Sequence, residues 1–531
     1  MNKTVRRVFI LIFFLLFAWT AFLVFGMQHI LKVVNAKEYI LGNAGLLGIG
    51  LGGFLLLCWV NRRYGERTEA FLQKHARALL LISLAVLLLW QIYSCYGGYF
   101  LTGWDAKRIR TTVGYQLRGK YAKLDQDYFS WFPNNRLLVW IFTSVARIAT
   151  ALGYENWQFS LTAFQCVLDV CAIWLVYRVT LDFAKSQRVA FLAYLTAYLF
   201  VGVSPWFIIA YSDATGFVLP IFMLRLFQRI RRAEKRWTRA AWSVLLGWVS
   251  MIGFYIKPQI LIAFLAAALV EICCLPGRDF KRRLADFALR AVSCALGMGV
   301  FFASYHAVVV PALHFQSDPD QTIGWQHYVM MGLNVSCDGT WWAEDYDYTK
   351  SFPTNAERNA ADLREAERRI RELGFGGMLQ YLSRKQLVNY QDGTFAWTCE
   401  GRFFSSEAEW AQNAVSGFMR SLIRPEGENY QWFISSRQLI WVTVLFFLLF
   451  AFAFERRSVS AEGDCGMLMM ALAVIGLTVF ELLFEARARY LFCYAPYYVM
   501  LAAGGMRNAD HLLGRLFRKR AGRPRDQSAF C

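Results

Sequence analysis

Several polar residues that could take part in chemistry lie directly beside apolar stretches. A charged side chain is costly there, so its presence suggests a function. In the segment 103–108, Asp105 follows Trp104 and precedes two cations, Lys107 and Arg108. A carboxylate at a membrane surface suits a general base acting on a hydroxyl or an amine, and neighbouring cations suit a phosphate. A helix that begins with a capping aspartate and continues with a solvated basic face is the structural alternative.

A second motif joins a carboxylate to two arginines in a short link between apolar stretches. Its residues, within 484–490, are Glu485, Arg487, Arg489 and Tyr490. Arginine remains charged in partly buried sites and binds phosphate in a bidentate manner. Lys257, at another tight turn, adds a cation, so the three cations predict a positive pocket for the phosphate of a lipid-linked substrate. An ion pair between Glu485 and Arg489 at helical spacing is the structural alternative.

The remaining polar candidates are weaker. Asp213 ends the segment 205–213, at the predicted outer mouth between the fifth and sixth spans, and a turn with a capping aspartate explains it equally well. His327 lies among aromatic residues, and an acidic cluster follows it. Both suit acceptor contacts or a site for a hard divalent cation, although such residues more often stabilise structure. The cluster consists of Glu344, Asp345 and Asp347.

Composition limits the protein class. Of 531 residues, 57% are hydrophobic and 17% are aromatic, which indicates a chain surrounded mainly by lipid. The net charge is +19, but the basic residues form short clusters between apolar stretches, as the positive-inside rule predicts, so nucleic acid is excluded as a partner. Phosphate-loop and dinucleotide motifs are absent from the sequence. The cysteines lack zinc-like spacing, and Cys337 and Cys399 leave a disulfide possible.

The hydropathy pattern predicts an all-α polytopic membrane protein of about 12 transmembrane helices, because apolar stretches of roughly 20 residues recur along the chain. Each even-numbered stretch is followed by basic residues, including Arg456 and Arg457, which predicts cytoplasmic termini and polar chemistry on the extracytoplasmic face. The predicted spans are 8–27, 39–60, 78–97, 158–178, 187–204, 211–230, 240–256, 259–275, 287–310, 437–454, 465–484 and 489–506.

Two polar regions interrupt these spans on the predicted outer side. The loop at 98–157 ends in an apolar stretch, 137–152, which we interpret as a helix lying in or dipping into the interface. A crossing is the alternative, and it would invert the charge pattern downstream. The insertion at 311–436 contains 17 acidic and 11 basic residues, and it predicts a cap of mixed helical and irregular structure. Within it we expect a helix from Asn355 to Leu373, a break at the following glycines and a second helix to Leu387. The predicted regions are 1–97, 98–157, 158–310, 311–436, 437–506 and the basic tail 507–531.

Together these residues resemble the membrane glycosyltransferases of the GT-C superfamily, in particular bacterial family 39 and its relatives among the protein O-mannosyltransferases and the aminoarabinose lipid A transferases. The likeness covers about 95–505. The sequence departs from many members by having Asp105 followed by Ala106 instead of an acidic pair, which disfavours a metal-bridged dyad. The residues that carry the resemblance are Trp104, Asp105, 131–135, 211–213, Lys257, Pro258, Glu485, Arg487, Arg489, Tyr490 and Pro496.

The resemblance implies a GT-C-like fold and an inverting transfer of a sugar from a polyprenyl-phosphate donor to an extracytoplasmic glycan, lipid or protein. Asp105 would be the catalytic base. Arg487, Arg489 and Lys257 would bind the donor phosphate. A divalent cation stays an open possibility. A secondary transporter, or a flippase or ligase for lipid-linked glycans, is the alternative. The implied substrate contacts are Trp104, Asp213, His327, Glu485 and Tyr490.

Overall fold

A computed structural model describes residues 3–26, 39–275, 279–316, 318–400, 404–407, 414–453 and 461–520. The predicted basic pair Arg456 and Arg457 and the end of the tail lie outside these residues. The described chain is almost entirely helical. Its α-helices are α1 Lys3–Gly26, α2 Asn43–Gly97, α3 Trp104–Leu117, α4 Gln126–Trp131, α5 Arg136–Ala151, α6 Trp157–Ala184, α7 Gln187–Ala197, α8 Ser212–Gly216, α9 Val218–Arg232, α10 Arg236–Ile256, α11 Leu261–Cys273, α12 Phe280–Ser304, α13 Val310–Leu313, α14 Trp325–Gly332, α15 Ala343–Lys350, α16 Asn355–Tyr390, α17 Trp397–Glu400, α18 Ala414–Ile423, α19 Tyr430–Leu448, α20 Ala461–Leu483 and α21 Ala495–Arg520.

Seven helical stretches among the described residues are long and apolar enough to cross a membrane. They confirm the prediction of a helical membrane protein, whereas the count of about 12 crossings stays a prediction. The predicted spans 187–204, 211–230, 259–275 and 489–506 coincide with helices that are shorter, broken or more polar. The seven stretches are Lys3–Gly26, Asn43–Gly97, Trp157–Ala184, Arg236–Ile256, Phe280–Leu313, Tyr430–Leu448 and Asp464–Leu483.

Helix α2 differs most from the sequence prediction, because it joins two predicted spans and their basic link into one helix of 55 residues. At about 1.5 Å per residue it is roughly 80 Å long, more than twice the thickness of a bilayer core. Its polar middle is held by ion pairs: Arg62 contacts Asp510 of α21 at 3.1 Å, and Glu69 accepts from Arg188 of α7 at 3.0 Å. The charged link is therefore helical, and two of its charges, Arg62 and Glu69, form ion pairs.

The insertion contains the helices that the sequence predicts. Thr354 caps α16 and exchanges hydrogen bonds with Glu357 in a capping box. Gly374 has φ 58° and ψ −175°, which interrupts the helix where the glycines predict a break. The second segment continues to Tyr390, three residues beyond the predicted end. Both predicted helices and the break between them are thus confirmed.

The loop after α2 is tied to the insertion by a two-stranded antiparallel sheet, β1 Phe100–Thr102 with β2 Phe404–Glu407. The apolar stretch predicted to lie in the interface forms α5, which packs against α3 and α6. Arg136 at its start donates to the carbonyl of Phe129 at 2.7 Å, and this bond holds α4 against α5. Cys337 and Cys399 are not joined by a disulfide, and Cys337 donates to the carbonyl of Thr340.

Candidate active site

Asp105 lies in the first turn of α3, immediately after the strand β1. The residue before it, Trp104, has φ 42°, a left-handed conformation that a bulky side chain rarely adopts. Such a conformation costs about 1–3 kcal/mol and persists where the surroundings enforce it, often at functional sites. The indole Nε1 of Trp104 is buried and has no hydrogen-bond partner among the described residues.

Two tyrosine hydroxyls are directed at the Asp105 carboxylate. Tyr211 donates to Oδ2 at 3.0 Å, and the hydroxyl of Tyr128 in α4 lies close to the same carboxylate. The amide of Asn135 donates to the oxygen of Tyr128 at 2.7 Å, so the Tyr128 hydrogen is left for Asp105. Burial, and then the neighbouring Asp105 charge, raise the pKa of Tyr128 far above its usual value, which keeps this hydroxyl protonated and donating.

Arg489 lies in a cage of three aromatic rings next to this carboxylate. Its guanidinium carbon is 4.8 Å from the ring centre of Trp104, 5.8 Å from that of Tyr211 and 5.6 Å from that of Tyr490. The rings of Trp104 and Tyr211 meet edge to face at 4.9 Å. Cation–π contacts of this kind hold a guanidinium without neutralising its charge. The cage therefore places a cation beside Asp105.

Lys257 is the second cation of the pocket, and it forms a buried ion pair with Asp213. Its ammonium also lies 4.5 Å from the ring centre of Tyr490. The hydroxyl of Tyr490 donates to Glu485 at 3.0 Å. Tyr490 thus contacts both cations with its ring and a carboxylate with its hydroxyl, which connects the turn after α10 to the link between α20 and α21.

The insertion contributes Tyr328 of α14 to the same pocket. Burial, and then the charges of Glu485 and Asp105, raise the pKa of Tyr328 above its usual value. Arg487 is half-buried in the link, where its charge acts on Tyr490. The structure therefore brings together all the predicted site residues except His327. They are Trp104, Asp105, Asp213, Lys257, Glu485, Arg487, Arg489 and Tyr490.

His327 faces the interior of the insertion. Its Nδ1 lies 2.7 Å from the hydroxyl of Thr349, and burial lowers the pKa of His327 to about 4. Within the predicted acidic cluster, Asp345 is buried and pairs with Arg369 at 2.6 Å, whereas Glu344 and Asp347 are exposed. Their side chains diverge, and the described residues contain no group of three or more His, Cys, Asp or Glu that could hold a metal ion.

No site role was predicted from the sequence for three residues of the pocket: Tyr128, Asn135 and Tyr328. Asn135 belongs to the segment 131–135 that carries the resemblance, and Tyr128 precedes it, but their approach to Asp105 depends on α4 folding back against α5. Tyr328 was overlooked beside His327. Adjacent residues of a helix point about 100° apart, so the choice between them required the packing of α14 against the bundle.

The helical fold and the apolar helices define the protein as an integral membrane protein. A family model described as "Conserved hypothetical integral membrane protein" matches residues 1–509, and the chain belongs to this family. No curated protein sequence matches it. Among solved structures, the crystal structure of ArnT from Cupriavidus metallidurans bound to undecaprenyl phosphate aligns with 14% identity and a TM-score of 0.34, over 85% of this chain and 82% of that chain. That TM-score is too low for any argument to rest on it.

Proposed function

We propose that the protein is an inverting glycosyltransferase that moves a sugar from a polyprenyl-phosphate donor to an acceptor outside the cytoplasm. The observation that carries this proposal is the juxtaposition of Asp105 with the caged Arg489. One group can accept a proton, and the other can stabilise a departing phosphate, within a single pocket. A GT-C-like arrangement of about 12 crossings, cytoplasmic termini and a pocket facing outward belong to the same proposal.

In the proposed reaction, Asp105 removes the proton from an acceptor hydroxyl or amine. The freed lone pair attacks the anomeric carbon from the face opposite the lipid phosphate, so the configuration inverts. The bond between the anomeric carbon and the phosphate oxygen breaks, and its electron pair stays on the phosphate. The hydroxyls of Tyr128 and Tyr211 hold the carboxylate in place, which preserves the geometry for proton transfer.

Negative charge grows on the departing phosphate, and Arg489 and Arg487 supply the positive charge that stabilises it. Lys257 contributes less than its formal charge suggests, because Asp213 already neutralises it in the buried pair. We therefore assign Lys257 and Asp213 mainly to the shape of the pocket. The unpartnered Nε1 of Trp104 is available to donate to the sugar or to the phosphate.

The test is sugar transfer by the purified protein in nanodiscs, measured with a panel of polyprenyl-phosphate sugars and with Asp105→Asn as the variant. A general base typically contributes about 10²- to 10⁴-fold to a rate. We expect a loss of that size, with donor binding retained. Asp127→Asn, in the neighbouring α4 and outside the Asp105 contacts, is the matched control and should keep the wild-type rate.

Two results would contradict the proposal. Undiminished transfer by Asp105→Asn would remove Asp105 from the role of base. Absence of both donor binding and transfer across the panel, together with solute uptake by proteoliposomes, would replace the transferase with a transporter.

A further inference from the structure

The charge content of helix α16 changes at Gly374. The segment 355–372 contains ten charged residues, whereas 373–383 contains none. Two large apolar side chains in the uncharged part are exposed, Phe375 by 84% and Leu379 by 53%. Exposed apolar side chains on an uncharged helix indicate a surface that contacts something other than water.

The end of α16 lies deep between two helices that are apolar enough to span a membrane. Gln386 donates to Thr20 of α1 at 2.6 Å, and Thr20 lies six residues, or about 9 Å, before the end of α1. The hydroxyl of Tyr390 is 2.6 Å from that of Thr478 in α20, and its ring packs on Phe17 of α1. The last turn of α16 is therefore about 9–13 Å below the end of α1.

Asp392 binds backbone groups of the turn that follows α16. Asp392 accepts from the backbone N–H of Thr394 at 2.7 Å and from that of Ala396 at 2.9 Å. It also accepts from the hydroxyl of Tyr39 at 2.7 Å. Phe395 and Ala396 have φ values of 55° and 66°, so the turn adopts an uncommon conformation. In a surface turn, water would accept hydrogen bonds from these backbone N–H groups. Here the fully buried carboxylate of Asp392 accepts them instead.

Side chains of the neighbouring helix α19 bind the carbonyls at this turn. The indole of Trp441 donates to the carbonyl of Tyr390 at 2.7 Å, and the amide of Gln438 donates to that of Gln391 at 2.8 Å. Irregular backbone at membrane depth is tolerated only where protein groups satisfy it. The turn meets this condition, so its hydrogen bonding suits a segment removed from water.

We propose that 374–398 is a re-entrant segment, which enters the outer leaflet as a helix, turns at Asp392 and returns. By helical rise, Leu379 lies level with the end of α1, at the boundary of the hydrocarbon, and Phe375 lies about 6 Å higher, among the headgroups. The exposed Phe375 and Leu379 contact phospholipid there. This placement differs from the sequence prediction, which puts the whole insertion 311–436 outside the membrane.

Photocrosslinking tests the placement. The residue p-benzoylphenylalanine replaces Phe375, Leu379 or Leu363 one at a time, and each full-length protein is irradiated in phospholipid nanodiscs. Leu363 is the control, because it is 42% exposed but lies in the charged half of α16. Mass spectrometry should detect phospholipid adducts at 375 and 379 at several times the level at 363. Equal adduct levels at the three positions, or none at 375 and 379, would overturn the proposal.

A second measurement does not depend on the crosslinker. A charge at a lipid contact destabilises a membrane protein, whereas a charge at a water-exposed position does not. Leu379→Asp should therefore lower the melting temperature in nanodiscs by several degrees more than Leu363→Asp does. Equal melting temperatures for these two variants would contradict lipid contact at Leu379.

Discussion

The pocket around Asp105 and the polar cluster inside the insertion are built from similar residues in opposite ways. In the insertion, Asp345 pairs directly with Arg369, and His327 is bonded to Thr349, so charges are neutralised within the cluster. Around Asp105, neutral tyrosine hydroxyls hold the carboxylate and aromatic rings hold Arg489. The first arrangement suits stability, whereas the second brings a carboxylate and a guanidinium into one pocket lined by aromatic residues.

We expect the largest changes, in transfer rate or in stability, when Asp105 or Asp345 is replaced by asparagine. We expect Asp105→Asn to reduce transfer by about 10²- to 10⁴-fold and to change the melting temperature little. Asp345→Asn should instead lower the free energy of unfolding by about 3 kcal/mol, because it removes one partner of a buried ion pair. Transfer assays and thermal unfolding of both variants check this. The comparison fails if both variants lose activity and stability in proportion.

The next largest effect should come from replacing the arginine of each cluster, Arg489 or Arg369, by lysine. Arg489→Lys keeps the charge but loses the flat guanidinium that packs between the rings, so we expect about a tenfold higher KM for the donor. Arg369→Lys is the matched change in the insertion. It should leave the KM unchanged and lower the melting temperature, and a raised KM in this control would show that the two clusters are not independent.

The next prediction concerns Asn135, which supports the pocket around Asp105 without contacting the reacting groups. Asn135→Ala removes the hydrogen bond to Tyr128, which frees the Tyr128 hydroxyl from its orientation toward Asp105. Loss of one hydrogen bond of about 1 kcal/mol predicts a fall of roughly five- to tenfold in kcat. The pH profile of kcat should shift, because the environment of the base changes. Asn359→Ala, in α16, provides the control, and an unshifted profile in Asn135→Ala would mean that Asn135 only supports the fold.

A last effect is a pH dependence in the insertion. Burial lowers the pKa of folded His327 to about 4, below its usual value near 6.5. As the pH falls, His327 is protonated in the unfolded chain before it is protonated in the folded protein. The free energy of unfolding therefore decreases as the pH falls from about 6.5 to 4. Thermal unfolding across this range should show a steeper loss for wild type than for His327→Gln. Parallel curves would contradict the burial of a neutral imidazole.

Much of the fold can be predicted from the sequence, because hydropathy and glycine placement act locally. The apolar stretch at 8–27 forms α1, and Gly374 breaks α16 at the predicted position. The continuous α2 could not be predicted in this way. Its basic middle has the charge pattern of a loop, but Arg62 pairs with Asp510 and Glu69 with Arg188, and hydropathy does not detect such contacts between residues distant in sequence.

The sequence predicted a pocket of three cations, and the resemblance added Asp105, but the tyrosines around Asp105 were not predicted. Asp105 and Arg489 each stood out because a charge beside an apolar stretch is costly, and this cost is visible in sequence. Tyr128 and Tyr328 carry no such signal, since a tyrosine in a membrane protein commonly marks an interface. Their part in the pocket arises from tertiary packing of α4 and α14, which no local pattern specifies.

The Nζ atom of Lys385 connects three parts of the molecule through hydrogen bonds. Its ammonium donates to the carbonyls of Gly332, Leu482 and Phe484 at 2.6–2.9 Å, at the ends of α14 and α20. Separating these segments would break three hydrogen bonds, each about 1 kcal/mol. The insertion and the link that carries Glu485 are therefore held together at this side chain. A displacement of α14 would reach the link beside the pocket through Lys385.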